Sequence, residues 1–307
     1  MAPPLALLGT TASGKSALAL QVARRRRDIE LVSVDSMQVY RGMDIGTAKP
    51  TLAERAEVAH HLLDLADPDE DFSVARFQAA ARAALVDIDS RGRRALLVGG
   101  SALHLRAVVD DLAIPGRWPD VRAELEATVA AAGPESLHAR LRELDPAAAD
   151  RMEPTNTRRI VRALEVTLGS GRPFSAHGPG LDAHPPTPFT LVGVALPSEV
   201  VATRIEERYR QQLVAGFLDE ARALRARPAG LSRTARQALG YRELLAHLDG
   251  GLELDAAVDL AVRRTRRFAR RQRVWFRRDP RIRWLTADRD PMTLLDALLD
   301  IVDQPPA

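Results

Sequence analysis

A chain of 307 residues, 46% hydrophobic and 28% charged, can bury one large or two modest cores and has the composition of an ordinary globular protein. It contains no cysteine, which excludes disulfides, thiolate metal sites and a cysteine nucleophile, and no apolar run nears the roughly 18 residues of a membrane span. The formal net charge of +3 is too small to announce a polyanionic partner, so the charge has to be followed along the chain.

The first apolar run, Leu5-Ala6-Leu7-Leu8, leads into Gly9-Thr10-Thr11-Ala12-Ser13-Gly14-Lys15-Ser16 and then into Ala17-Leu18-Ala19-Leu20-Gln21-Val22-Ala23. This reads as strand, glycine loop and helix with G-x-x-x-x-G-K-[ST] spacing. Glycines let the backbone curl so that successive N–H groups point at phosphate oxygens, and the helix adds its positive dipole end beneath the anion. Lys15 supplies a point charge, and the Ser16 hydroxyl suits a Mg²⁺ ligand. Of the 44 basic Lys and Arg residues only Lys15 and Lys49 are lysine. A coding bias accounts for so much arginine, and against it a lysine marks a place where a compact ammonium fits better than a planar guanidinium.

Ile29–Val34 is the next strand-like run, followed by Asp35-Ser36-Met37-Gln38-Val39-Tyr40. In an open α/β sheet the loops at the carboxyl ends of neighbouring strands form the ligand crevice, so Asp35 is placed near the phosphate loop. A carboxylate there could hold a metal through water, accept a proton, or simply cap a turn. Arg41–Pro50 is a glycine-punctuated loop. His60-His61-Leu62-Leu63-Asp64-Leu65 reads as a short strand whose two histidines face opposite ways, which argues against a shared metal. Ser73 is a helix N-cap for Val74–Ser90, where Val74, Phe77, Ala81, Leu85 and Ile88 keep helical spacing. Arg94–Val98 is another buried-strand pattern, ending in the glycine turn Gly99-Gly100-Ser101-Ala102-Leu103-His104. Repeated strand, glycine turn and helix predict a doubly wound parallel sheet.

Near Pro115 the character changes. Helical patterns at 121–132, 134–144, 146–152 and 157–168 run without a buried strand, and the last carries Arg158, Arg159 and Arg162 opposite Ile160, Val161 and Leu164. Such a basic face is either solvated or meets a polyanion. Residues 169–188, rich in Gly, Pro and His, read as a loop, and 189–196 return to a strand. The expected organisation is a core of residues 1–114 and 189–307 with a helical insertion at 115–188. Beyond the last strand the chain reads as helical: 199–215, 218–226, a segment from Arg236, and then the arginine-rich 263–278 with Phe268, Trp275 and Phe276. Arginines interleaved with aromatics suit phosphate neutralisation and base stacking, or a solvated helix with its aromatics docked on the core.

Taken together, Gly9–Ser16, Val34–Pro50, His60–Asp64, Arg158–Val166, Gly240–Glu243 and Thr265–Trp275 resemble the tRNA dimethylallyltransferase (tRNA isopentenyltransferase) family, in that family's order and over nearly the whole chain. Thr10 stands where proline is usual, His104 where tyrosine is usual, and Arg270 where the pattern usually has lysine. The resemblance implies a P-loop NTPase-like α/β fold with a helical insertion domain that contacts the tRNA anticodon stem-loop. It implies transfer of a dimethylallyl group from its diphosphate to N6 of adenosine 37, just 3′ of the anticodon, in tRNAs reading codons that begin with U. Mg²⁺ is the implied cofactor. Asp35 is the implied base, Arg208 joins Lys15 and Ser16 on the diphosphate, and Gly9–Ser16 forms the phosphate cradle. tRNA contacts are implied for Asp35, Ser36, Met37, Gln38, Ser101, Arg122, Arg158, Arg159, Arg162, Gln237, Gly240, Tyr241 and Arg242. A cytoplasmic monomer without membrane association is expected, since no signal-peptide pattern opens the sequence. The residues alone also admit a small-molecule or nucleotide kinase with ATP in the loop, or a nucleotide-switched RNA-binding protein. Neither alternative predicts the block from Asp35 to Pro50, and no apolar strand ends in a second Asp that would hold the metal.

Overall fold

The computed structural model describes residues 4–178 and 180–304. In chain order its elements are β1 (Leu5–Gly9), α1 (Lys15–Arg25), β2 (Ile29–Val34), α2 (Leu52–Glu57), β3 (His60–His61), α3 (Val74–Ser90), β4 (Arg94–Gly99), α4 (Ala102–Val109), α5 (Pro119–Ala132), α6 (Pro134–Leu144), α7 (Pro146–Ala149) and α8 (Thr157–Ser170). They continue with β5 (Thr190–Ala195), α9 (Ser198–Val214), α10 (Phe217–Arg225), α11 (Tyr241–Leu248), α12 (Leu254–Phe276), β6 (Arg283–Thr286) and α13 (Leu295–Val302).

The strands form one sheet in the order β3-β2-β4-β1-β5-β6, every neighbouring pair parallel. Strand alternation sorts the apolar runs onto two faces. Ala6, Leu8, Val32, Val34, Leu97 and Leu191 share a core with Phe77 of α3, Leu105 of α4, Ile205 of α9 and Ala269 of α12. Leu5, Leu7, Ile29, Leu31, Leu96, Val98 and Val192 pack instead with Leu18 and Val22 of α1 and Leu298 of α13. Both faces are therefore covered, as an all-parallel sheet demands, which is why these strands read as unbroken apolar runs. The chain winds from β1 outward to β2, returns to insert β4 beside β1, and then adds β5 on the far side of β1. The carboxyl ends of β1 and β4 lie at that reversal, where a crevice opens in such sheets.

Local signals match the helix starts. The Ser73 side chain accepts the Arg76 N–H, and the Asn156 side chain accepts the Arg159 N–H. Thr51 and Glu54 form a reciprocal capping box at α2, a helix not anticipated from the sequence. The reading of the chain after residue 196 as helical is corrected by β6. Its Arg283, Trp284, Leu285 and Thr286 pair with Val192–Ala195 at the sheet edge. An edge strand with exposed Arg283 and Thr286 buries little, so it leaves no apolar run to notice.

Contacts divide the chain into two units, Met1–Asp110 with Pro186–Ala307, and Asp111–Pro185. The first holds the sheet. The second is built by α5–α8 around Leu125, Leu137, Leu141, Ile160 and Leu164. Within it the buried Glu165 carboxylate accepts the Trp118 N–H at 3.0 Å and meets the guanidiniums of Arg122 and Arg162, each at 3.0 Å. Arg162 also donates to the Pro115 carbonyl at 2.9 Å, whereas Arg158 and Arg159 are exposed. No helix among the described residues is long and apolar enough to cross a membrane.

Candidate active site

At the end of β1 the Ser13 N–H returns to the Thr10 carbonyl at 3.2 Å, closing a tight loop before α1 begins at Lys15. Ala12 and Gly14 adopt positive φ, 61° and 85°, which bends the backbone around the anion position. A Cβ at Gly14 would lie 2.3 Å from the Pro291 ring, so glycine is required there for space as well as for its dihedral. Lys15 Nζ donates to the Thr10 carbonyl at 3.1 Å. Burial pushes the Lys15 ammonium down to a pKa of about 8, with Asp35 opposing the shift and Arg208 adding to it.

Arg208 comes from α9, where burial again disfavours the charge and pushes its pKa down. Its Nε and the Ser13 hydroxyl are buried without a hydrogen-bond partner among the described residues. Unpaired buried donors cost free energy, and two of them around one phosphate loop suit an anionic ligand. One turn earlier on α9, Arg204 Nε donates to the Ala12 carbonyl at 2.9 Å, so the same helix braces the loop.

Asp35 follows β2. Its Oδ1 accepts the Met37 N–H at 2.8 Å, an Asx turn that orients the carboxylate. The Ser36 N–H reaches Ser101 Oγ at 3.2 Å, joining this turn to the one after β4. Gln38 accepts from the Ser33 hydroxyl and donates to the carbonyls of Thr47 and Ala48, so its amide folds the Asp35–Pro50 block back on itself. The second lysine completes that block. Lys49 Nζ is buried and donates to the Tyr40 carbonyl at 2.5 Å and to Asp44 and Asp64 at 2.6 Å each. Glu220 of α10 accepts the backbone N–H groups of Asp44, Ile45 and Gly46, and Gln212 of α9 donates to the Ile45 carbonyl.

These pieces enclose a cavity of about 550 Å³. Thr11, Ala12, Gly14, Lys15, Ser16, Asp35, Ser36, Met37, Gln38, Ser101, Arg208, Gln237 and Arg242 all line it. Gly9, Thr10 and Ser13 shape the loop from behind. Gly240 and Tyr241 are not brought to it: Tyr241 is 1% exposed, stacks edge-on against Phe217 and donates its hydroxyl to Glu220 at 2.6 Å. Arg122, Arg158, Arg159 and Arg162 belong to the other unit. His104 is packed edge-on against Phe77, and burial pushes its pKa down to about 4, leaving a neutral ring at neutral pH.

Among the lining residues that the sequence reading did not single out are Arg204, Arg271 and Gln272. Arg204 is one turn from Arg208, a spacing that could have flagged it. Gln272 hides among arginines. The cavity thus collects Lys15, Arg204, Arg208, Arg242 and Arg271 around one carboxylate, Asp35. The strand beside β1 contributes no second acid. β4 ends in Gly99, where a Cβ would lie 2.1 Å from the Val34 carbonyl oxygen, so no aspartate fits. Among the described residues no group of three or more His, Cys, Asp or Glu converges on a metal position. A divalent ion here would rest on Ser16, on Asp35 through water and on ligand oxygens, a donor set that fits a hard cation keeping part of its water shell.

The protein-family model for IPP transferase matches residues 38–279. A tRNA dimethylallyltransferase of Kineococcus radiotolerans is 50% identical over 307 residues, covering 98% of this chain and 96% of the relative. One of Acidothermus cellulolyticus is 53% identical over 284 residues, covering 92% and 88%. The crystal structure of a tRNA isopentenylpyrophosphate transferase from Bacillus halodurans superposes with a TM-score of 0.71 at 37% identity, covering 98% of this chain and 96% of that one. With matches of this length and identity, the chain belongs to the IPP transferase family.

Proposed function

We propose that the protein transfers a dimethylallyl group from dimethylallyl diphosphate to N6 of adenosine 37 in tRNAs reading codons that begin with U. The observation that carries this reading is the convergence of Lys15 and Arg208, both half-buried, on the same cavity as Asp35. In the reaction the allylic C–O bond breaks and its electron pair leaves with the diphosphate. The N6 lone pair forms the new C–N bond, and the N6 proton passes to the Asp35 carboxylate. Lys15, Arg208 and the loop N–H groups face the place where negative charge develops on the leaving oxygen. Ser16, with Asp35 through water, would hold Mg²⁺, which when bound neutralises diphosphate charge. The adenine has to leave its stack to reach a cavity of this kind.

Arg242 and Gln237 at the mouth, and the exposed Arg158 and Arg159 of the helical unit, are the side chains offered to tRNA in this reading. A kinase needs a carboxylate on the strand beside the phosphate loop to hold its metal, and Gly99 has no room for one. Incubating the protein with bulk tRNA and either labelled dimethylallyl diphosphate or labelled ATP tests the reading. Label from the prenyl donor in N6 of adenosine 37 is expected. Phosphoryl transfer from ATP, or no covalent product with either donor, overturns it.

A further inference from the structure

Gln272 on α12 spans the two loops that flank the cavity. Its Oε1 accepts the Thr11 N–H of the phosphate loop at 2.8 Å, and its Nε2 donates to the Gly100 carbonyl at 2.8 Å. The side chain is 5% exposed. Its amide orientation follows from the partners, because an N–H needs the oxygen and a carbonyl needs the amino group. Gly100 makes room for it: a Cβ there would lie 2.4 Å from Gln272 Nε2 and 3.0 Å from the Gly9 carbonyl oxygen. From Gly100 the connection continues through Ser101, whose hydroxyl accepts the Ser36 N–H beside Asp35. A path of backbone and hydrogen bonds thus runs from the phosphate loop through Gln272 to the Asp35 turn.

The amide carries no charge and bonds to main-chain atoms on both sides, so it adds nothing to leaving-group stabilisation directly. Lys15 and the loop N–H groups that follow Thr11 are already organised by α1 and the Thr10 carbonyl. What Gln272 controls is the separation between the leaving diphosphate and the base. We infer that Gln272 is a positioning residue that fixes the phosphate loop against the Asp35 turn, keeping the breaking C–O bond in line with the attacking amine. This rests on the prenyl-transfer reading above. Misplacement by about 1 Å costs on the order of 100-fold in rate, so loosening the pair of loops should appear in chemistry more than in binding.

The test compares wild type, Gln272→Leu and Gln272→Glu in single-turnover transfer with both substrates saturating, across pH, beside melting curves and calorimetric binding of inorganic diphosphate. Gln272→Leu is expected to lose roughly 10- to 100-fold in rate, with diphosphate affinity kept to within about threefold. In Gln272→Glu the protonated carboxyl offers the same acceptor and donor as the amide, whereas the ionised carboxylate sets an oxygen against the Gly100 carbonyl. The deficit of Gln272→Glu relative to wild type should therefore shrink as pH falls. Lys15, Asp35, Arg204, Arg208 and Arg271 line the cavity in both proteins, so the wild-type profile supplies the common background. Folded Gln272→Leu transferring at the wild-type rate overturns the inference, as does a Gln272→Glu deficit that is constant with pH. Wild-type protein that transfers no prenyl group overturns the reaction assignment, and this inference with it.

Discussion

Arg158, Arg159 and Arg162 lie within five residues on α8, and Arg204 and Arg208 lie one turn apart on α9. In sequence both are arginine clusters on helices with apolar opposite faces. In the structure their charges meet different things. Arg162, with Arg122 of α5, is matched by the buried Glu165, which also takes the Trp118 N–H. Arg208 is half-buried, its Nε has no hydrogen-bond partner among the described residues, and Asp35 is the carboxylate that favours its charge. On α12 only Arg264 repeats the first pattern, meeting the buried Glu243, while Arg266 meets the half-exposed Glu206 and Arg273 donates to the Leu196 carbonyl. A run of arginines therefore says little about anion binding until the buried acids are subtracted. The cations left facing one carboxylate mark the site, and those facing a buried glutamate hold a fold together.

The sharpest break of this comparison is at its one acid. Asp35→Asn keeps the oxygen that accepts the Met37 N–H, so the turn and both substrates should be held as before. It cannot accept the N6 proton, and the single-turnover rate should drop by about 100- to 10,000-fold. A mutant that melts early yet transfers at the normal rate would make Asp35 a turn cap and nothing more.

Next is the lysine. Lys15→Ala removes the half-buried cation that meets the leaving diphosphate in the prenyl-transfer reading, and loss of one such preorganised contact costs on the order of 100- to 1,000-fold in rate. Unchanged turnover in folded protein would detach the loop from the chemistry.

How far the sequence could be read follows the same division. Strands β1, β2, β4 and β5 and the phosphate loop were legible because burial on both faces makes apolar runs, and because glycine spacing reports backbone shape. β6 was invisible, since an edge strand with exposed Arg283 and Thr286 has no apolar signature. Asp35 and Lys15 could be placed because they follow strand ends. Gln272 could not, because its partners lie 261 and 172 residues away and main-chain bonding leaves no local pattern. For the same reason nothing in the spacing of Arg122, Arg162 and Glu165 separates a matched arginine from an available one.

Glu165→Ala breaks the other side of the comparison. It leaves the Trp118 N–H without its acceptor and takes one partner each from Arg122, which keeps Glu126, and from Arg162, which keeps the Pro115 carbonyl, a loss of about 1–3 kcal/mol. Denaturant melts should show that loss in unit 111–185, with diphosphate affinity unchanged. A change of under about 1 kcal/mol would return this cluster to the class of surface pairs.

The Lys15 ammonium also has a pH signature. Lys15 ordinarily would hold its proton to about 10.5, but burial brings this down to about 8, and only the charged form attracts an anion. Diphosphate affinity should fall as pH rises through about 8, by up to roughly tenfold per unit, while the arginines keep their charge. Dividing by the profile of Lys15→Ala removes the titration of the ligand. A ratio flat from pH 7 to about 9.5 would mean that the ammonium does not meet the diphosphate.

The smallest effect discriminates most finely, because it divides one helix against itself. Arg158 and Arg159 are exposed on α8, while Arg162 is held by Glu165 and the Pro115 carbonyl. If α8 meets the tRNA backbone, the exposed pair should release counterions on binding, and Arg162, held by a buried acid, should not. Arg158→Ala with Arg159→Ala should then lower the log–log salt slope of tRNA affinity by up to about two units, one per lost phosphate contact. Arg162→Ala should leave the slope nearly intact and lower the melting temperature instead, because Glu165 loses a partner. Prenyl-diphosphate affinity should be the same in all three proteins, since the cavity lies in the sheet-bearing unit. An equal fall in slope for Arg162→Ala would mean that its pairing with Glu165 yields to RNA. No fall in slope for the exposed pair would make α8 a solvated face, and the tRNA would then have to be held through the mouth of the cavity at Arg242 and along the exposed arginines of α12.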